Sequence, residues 1–129
     1  MTWSDIDHFV PAEFDSPDVP GSGKECMVLD FVAQLDQARK HSGCPYRVTS
    51  GYRTPEHHDY LTEQGYKTSK NSSHLLGYAA DISTPDSKTR YKVVRGLIKA
   101  GITRIGIGAT FVHCDSDPDK TPGIIWLYR

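Results

Sequence analysis

Hydrophobic residues recur at helical spacing in two long segments of the chain. In the first segment the apolar positions lie three or four residues apart, with some adjacent: Met27, Val28, Phe31, Val32, Leu35 and Ala38. Since Gly43 follows the basic Arg39-Lys40-His41 end, this segment predicts a helix from about Cys26 to Ser42. The second segment has four apolar residues on one side: Val93, Val94, Leu97 and Ile98. They predict a helix over Ser87 to Lys99 that stops at Gly101.

Shorter apolar and β-branched runs predict the strands of a sheet. These runs are Tyr46 to Ser50, the stretch beginning at Ala79, Thr103 to Gly108, Thr110 to Asp115, and Ile124 to Tyr128. A short helix is predicted after Thr54, an N-cap residue followed by Pro55 at the first helical position. Helices early in the chain and a cluster of strands later predict an α+β fold with two to three helices and a mostly antiparallel sheet.

The remaining segments are polar and predict irregular structure. Residues 1–23 are rich in Pro, Asp and Ser and are expected to wrap around the domain, with a short turn at Pro11 to Phe14. The segment from Gly65 to Ser72 is predicted to be a mobile loop that delivers His74 to a site. The 129 residues contain no repeat and no low-complexity linker, so we expect one domain over 1–129 with a core that needs no disulfide.

Composition narrows the classes of function. The chain has 15 Lys and Arg against 16 Asp and Glu, with the two signs interspersed. The sequence shows no basic patch for nucleic acid and no apolar run long enough to span a membrane. Its three cysteines form no Cys-x-x-Cys pair, so they indicate neither a disulfide framework nor a cysteine zinc site. The N-terminus lacks the features of a signal peptide, and we therefore expect a protein made in the cytoplasm.

Two separated motifs contain candidate metal ligands. The first is Ser72-x-His74-x-x-Gly77-x-Ala79-x-Asp81, in which Gly77 suits a tight bend that returns Asp81 toward His74. The second is His113-Cys-Asp115 in a predicted strand, where alternation places His113 and Asp115 on one face. An isolated His and Asp pair is more often structural. Two imidazoles and one carboxylate in a pattern that fixes so many positions can instead form three corners of a zinc tetrahedron, leaving the fourth to water.

These motifs resemble the zinc D-alanyl-D-alanine carboxypeptidase-like metallopeptidases, which include peptidoglycan peptidases and phage endolysins and share a core fold with the Hedgehog signalling domain. The resemblance covers nearly the whole chain. It extends to three further segments, Phe9 to Ser16, Thr49 to Pro55 and Arg104 to Gly108, and to Trp126. It implies that His74, Asp81 and His113 bind one zinc ion and that Arg53 holds a substrate carboxylate or carbonyl. The His-x-Asp form is most similar to a small subgroup found in phages and prophages.

One position departs from the pattern of this family. Better-known members have a Glu three residues before the last His ligand, where it is the general base, but this chain has Thr110, which cannot take up a proton. Asp115 is a candidate base, because a carboxylate beside a zinc-bound water can accept its proton. Alternatively, Asp115 accepts a hydrogen bond from a ligand imidazole and fixes its tautomer. The sequence leaves both roles open.

Further residues are candidates for contact with a substrate. Arg53 lies in a turn at a strand end, where a guanidinium suits a peptide carboxylate, although a surface ion pair is the commoner role of Arg. Ser73 is predicted to bind substrate with it. His57 and His58 are adjacent on a predicted helix, so they cannot both face one metal ion, and we expect them at the surface or the edge of a cleft.

The resemblance implies a zinc metallopeptidase that cuts cell-wall peptides, either at the terminal D-Ala or at an internal bond of the stem peptide. The expected partner is a peptidoglycan peptide, and the expected state is a monomer. Without an export signal, such an enzyme would reach the wall through a membrane lesion or with a phage particle. The alternative is an inactive zinc-containing binding or structural module of the same fold. The presence of Thr110 at the usual position of the base agrees with this alternative. Arg53 and Asp115 favour the enzyme, because a structural zinc ion needs neither.

Overall fold

A five-stranded sheet forms the centre of the protein in the computed structural model, which describes residues 1–128. The strands are β1 (Val48–Ser50), β2 (Ala79–Ser83), β3 (Arg104–Ile107), β4 (Phe111–Asp115) and β5 (Ile124–Leu127). They are ordered β1-β2-β4-β3-β5 across the sheet. Neighbouring strands are antiparallel, except that β5 runs parallel to β3. The fold is therefore α+β with a mostly antiparallel sheet, as the sequence predicted.

Within residues 1–128, four α-helices and three short 3-10 helices accompany the sheet. The α-helices are α1 (Ser22–Cys26), α2 (Leu29–Ser42), α3 (Pro55–Glu63) and α4 (Ser87–Lys99). The 3-10 helices are Trp3–Asp5, Pro11–Phe14 and Ser73–Leu76. Helices α2 and α4 pack so closely at Gly96 of α4 that a Cβ atom there would overlap the Ser42 hydroxyl of α2. No helix within residues 1–128 is long and apolar enough to cross a bilayer.

The first long helix is shorter than predicted, and a separate helix precedes it. The prediction of one helix from Cys26 is wrong at its start, because the backbone is extended at Met27 and Val28 and α2 begins at Leu29. The Val28 N–H donates to the carbonyl of Gly77 rather than to a helical partner. This contact separates α1 from α2. The sequence did not predict α1, and with it the described residues form four α-helices.

The other elements agree with the sequence prediction to within a few residues. Helix α4 spans the predicted residues, and the Thr54 hydroxyl caps α3 by accepting the His57 N–H. The connection from β3 to β4 runs through Gly108 and Ala109, as expected. The segment from Gly65 to Ser72 contains no helix or strand.

The N-terminal segment contributes apolar side chains to the core. Ile6, Phe9 and Phe14 are buried in the main hydrophobic cluster. The buried carboxylate of Asp36 on α2 accepts hydrogen bonds from the backbone N–H groups of Asp7 and His8, which fixes the segment to the helix. The predicted turn at Pro11 to Phe14 is confirmed as a 3-10 helix.

Candidate metal centre

Strand pairing and a tight turn bring the three predicted metal ligands together. Asp81 on β2 lies directly opposite His113 on β4. His74 lies on the 3-10 helix before β2, and Gly77, with φ of 75°, reverses the chain between them. The Asp81 Oδ1 atom is 3.2 Å from His74 Nε2 and 2.9 Å from His113 Nδ1. Three donor atoms from two sequence segments therefore converge on one point.

In each imidazole, the nitrogen that faces away from Asp81, here called the outer nitrogen, lies beside a hydrogen-bond acceptor. His74 Nδ1 lies 2.7 Å from the carbonyl oxygen of Gly51, and His113 Nε2 lies 2.7 Å from Asp115 Oδ2. A carbonyl and a carboxylate only accept, so both outer nitrogens carry hydrogen. In the neutral rings the inner nitrogens then present lone pairs toward the Asp81 carboxylate. Two imidazole lone pairs facing a carboxylate repel one another unless a cation lies between them, so this donor set fits a divalent metal ion.

The ionisation of these groups is consistent with a cation site. Burial lowers the pKa of His74, which favours the neutral ring that a metal requires. Burial alone would raise the pKa of Asp81, but the neighbouring imidazoles of His74 and His113 outweigh it and the pKa is lowered. Burial would lower the pKa of His113, but its hydrogen bonds with Asp115 and Asp81 raise it. Metal binding at His113 Nδ1 would therefore compete with a proton.

Asp115 is held on the side of His113 away from the other ligands. It is 1% exposed, and besides His113 it accepts hydrogen bonds from Arg104 Nε at 2.7 Å and from the Asp117 N–H at 3.2 Å. Burial would raise its pKa, but the hydrogen bond and charge of His113, together with Arg104, lower it, so the carboxylate is ionised at neutral pH. Both roles that the sequence left open for Asp115 stay predictions.

Arg53 lies beside the candidate metal ligands, in the segment that follows β1. Its Nε donates to the Ser50 hydroxyl at 3.2 Å, and its Nη2 is 3.7 Å from Asp81 Oδ2. Its backbone N–H donates to the carbonyl of His74 at 3.1 Å. The guanidinium is therefore oriented toward the metal centre rather than toward bulk solvent.

Ser73 is tied to the segment that follows β4. Its buried hydroxyl donates to Asp117 Oδ2 at 2.7 Å and accepts from Lys120 Nζ at 2.9 Å. Lys120 also donates to the carbonyl of Asn71, so it holds the end of the loop before His74. Ser73 lines the cleft, and its role in substrate binding stays a prediction.

A cleft of about 1160 Å³ opens above the candidate metal ligands. One wall is formed by α3 and residues 66–69, and another by aromatic side chains near the end of the chain: Phe111, Trp126 and Tyr128. The Trp126 ring lies 5.6 Å from that of His113, and the Arg104 guanidinium lies 5.1 Å from the Trp126 ring. The space is large enough for several residues of an extended peptide.

Some residues around the cleft were missed or misplaced by the sequence analysis. Arg104 was not singled out, although it lies opposite Asp115 in the β3–β4 pair, and the hairpin register through Gly108 could have indicated it. His57 lines the cleft, as expected. His58 was expected at the surface or cleft edge, and this prediction is wrong, because the side chain is buried on the inner face of α3 and only 7% exposed.

Comparison with known protein families identifies the group to which the chain belongs. The sequence matches the family described as peptidase M15 over residues 8–115, a range that contains all three metal-ligand candidates. The chain belongs to the peptidase M15 family. This is the D-alanyl-D-alanine carboxypeptidase-like family that the motifs predicted, so the predicted family is confirmed. Membership of the M15 family supports peptidase activity.

The fold of this M15 chain is also similar to a solved structure. The L-Ala D-Glu endopeptidase ChiX of Serratia marcescens matches with a TM-score of 0.54 and 19% sequence identity. The match covers 70% of this chain and 80% of ChiX. At this identity the similarity shows the fold alone. No curated protein sequence matches the chain.

Proposed function

We propose that this protein is a zinc-dependent peptidase that hydrolyses a peptide bond in peptidoglycan stem peptides. One observation carries the proposal: two imidazoles with fixed outer hydrogens and one carboxylate converge at the base of a peptide-sized cleft. Imidazole and carboxylate ligands suit zinc, and three protein ligands leave a coordination position open, as catalytic sites require. Membership of the M15 family and the endopeptidase activity named for ChiX support the substrate class.

The residues around the centre have separable roles in this proposal. A bound zinc ion would supply Lewis acidity and an activated water molecule. Arg53, oriented by Ser50 and Asp81, would hold the scissile carbonyl or a neighbouring carboxylate of the substrate. Asp115 would keep His113 in the tautomer whose Nδ1 is free to bind metal. Ser73 would form part of the substrate-binding surface beside His74.

Digestion of purified sacculi tests the proposal directly. The zinc-loaded protein is incubated with sacculi and with defined stem peptides, and the released fragments are analysed by mass spectrometry. We expect new amine termini, either free D-Ala from a carboxypeptidase or larger fragments from an endopeptidase. Chelator-treated protein and an Asp81→Asn variant should release neither, whereas His41→Gln, which changes an exposed histidine on α2, should match the parent.

The same experiment separates the enzyme from the inactive module. A parent protein that binds one zinc ion per chain but releases no fragment with zinc, manganese or cobalt would contradict the proposed activity. The alternative of a zinc-containing binding module would then be favoured. The orientation of Arg53 into the cleft favours the enzyme, because a structural zinc ion has no use for a cation directed at its carboxylate ligand.

A further inference from the structure

Hydrolysis of a peptide bond places negative charge on the carbonyl oxygen, and an enzyme must stabilise it. The acids nearest the metal centre already have partners: Asp81 belongs to the ligand cluster, and Asp115 binds His113 and Arg104. Thr110, which also lines the cleft, has no carboxylate. The groups that can act on the reacting carbonyl are therefore hydrogen-bond donors at the sides of the cleft.

Tyr128 is one such donor, and the sheet fixes its position. Its backbone N–H donates to the carbonyl of Ile107 at 2.9 Å, which continues the pairing of β5 with β3. Its ring lies against Gly106, where a Cβ atom would be only 2.5 Å from the tyrosine Cε2. Gly106 is the direct partner of His113 on β4. The phenol ring is thus seated one strand away from a metal ligand.

The aromatic wall holds the ring in this place. Its centroid lies 5.2 Å from that of Phe111, 6.2 Å from that of Trp126 and 6.3 Å from that of His113. Tyr128 is 40% exposed and lines the cleft. A ring packed on several sides but open toward the cleft loses little conformational entropy when its hydroxyl meets a substrate.

Tyr128 and Arg53 flank the metal ligands from opposite edges of the sheet. Arg53 follows β1 at one edge, Tyr128 follows β5 at the other, and the ligands on β2 and β4 lie between them. The Tyr128 ring meets the His113 ring edge-on, which places the phenol beside the proposed metal centre. The phenol keeps its proton at neutral pH and is therefore a donor.

We propose that Tyr128 is a catalytic residue whose phenol O–H donates a hydrogen bond to the scissile carbonyl oxygen as negative charge develops there. This inference rests on the proposed function. The oxygen of water forms the new bond to the carbonyl carbon, the C–N bond breaks, and the amine leaves with a proton that originates from that water. Tyr128 neither gains nor loses a proton, and Arg53 supplies a second donor from the other side.

Steady-state kinetics of Tyr128→Phe test this role, since the substitution keeps the ring and its packing. Removing one donor to a developing oxyanion costs about 10²- to 10³-fold in kcat. We expect a fall of that order with KM within about twofold, and unchanged zinc content and melting temperature. The matched control is Tyr91→Phe on α4, where the ring is exposed outside the cleft, and it should retain parent kinetics.

Binding of a phosphinate peptide, which mimics the tetrahedral transition state, gives a readout independent of turnover. Calorimetry should show that Tyr128→Phe weakens phosphinate binding by about the same factor as kcat, while affinity for the product peptide stays unchanged. An active parent with a Tyr128→Phe variant of equal kcat would overturn the assignment of Tyr128 alone. A parent that cleaves no stem peptide would overturn the proposed function, and the assignment with it.

Discussion

Replacing Asp115 by Asn should lower the affinity for zinc, with a smaller effect on the free energy of unfolding. The carboxylate accepts the Nε2 hydrogen of His113 at 2.7 Å and is buried, so its full charge acts on the ligand ring. The amide has a similar shape but no charge. Loss of such an outer partner typically lowers metal affinity about 10- to 100-fold, which corresponds to about 1.4–2.8 kcal/mol.

The measurement is a competition titration against a chromophoric zinc chelator, with the melting temperature of each variant recorded in parallel. Arg104→Gln is the matched control, because it removes the 2.7 Å ion pair with Asp115 and leaves the hydrogen bond to His113 in place. We expect the control to lose less than tenfold in zinc affinity. Kinetics at saturating zinc then complete the comparison.

The result that refutes this reasoning is specific. If Asp115→Asn binds zinc as tightly as the parent but loses about 10²- to 10⁴-fold in kcat at saturating zinc, Asp115 acts as a general base. If zinc affinity falls and kcat at saturating zinc changes little, Asp115 positions His113. The two roles that the sequence left open are thereby distinguished by one variant.

Three further substitutions test the fold and the cleft. Gly96→Ala should lower the free energy of unfolding, measured by urea denaturation, by about 1–3 kcal/mol, because the new Cβ atom overlaps the Ser42 side chain. An unchanged denaturation midpoint would show that α2 and α4 are not packed closely. Lys120→Met should speed amide hydrogen exchange at residues 66–72 by releasing the Asn71 carbonyl, and equal exchange would contradict this tether. Thr54→Ala removes the N-cap of α3 and should lower the free energy of unfolding, measured by thermal denaturation, by about 1 kcal/mol. An unaltered melting temperature would argue against the cap.

The sequence predicted the elements and the metal-ligand candidates because both depend on local spacing. Helix α4, the cap at Thr54 and the bend at Gly77 are each encoded within a few residues. His74 and Asp81 share one motif, and alternation along a strand was enough to place His113 and Asp115 on one face.

Features that depend on contacts between distant segments were not predictable in this way. The end of α1 depends on a hydrogen bond from Val28 to Gly77, which is remote in sequence. The pairing of Arg104 with Asp115 is an exception, because the register of the β3–β4 hairpin through Gly108 could have indicated it. The place of Tyr128 requires that β5 pair in parallel with β3, and no local pattern specifies that neighbour.

The segment after β1 forms two hydrogen bonds with His74. The carbonyl of Gly51 accepts from its ring, and the N–H of Arg53 donates to its backbone carbonyl. The metal-ligand candidate His74 and Arg53, the cation proposed to bind the substrate, are thus joined through residues 51–53, so a shift of one displaces the other. Under the proposed function, zinc bound at His74 and peptide bound at Arg53 would be thermodynamically linked, and each would tighten the binding of the other by the same factor. Apo protein should consequently be a poor receptor for the peptide as well as a poor catalyst.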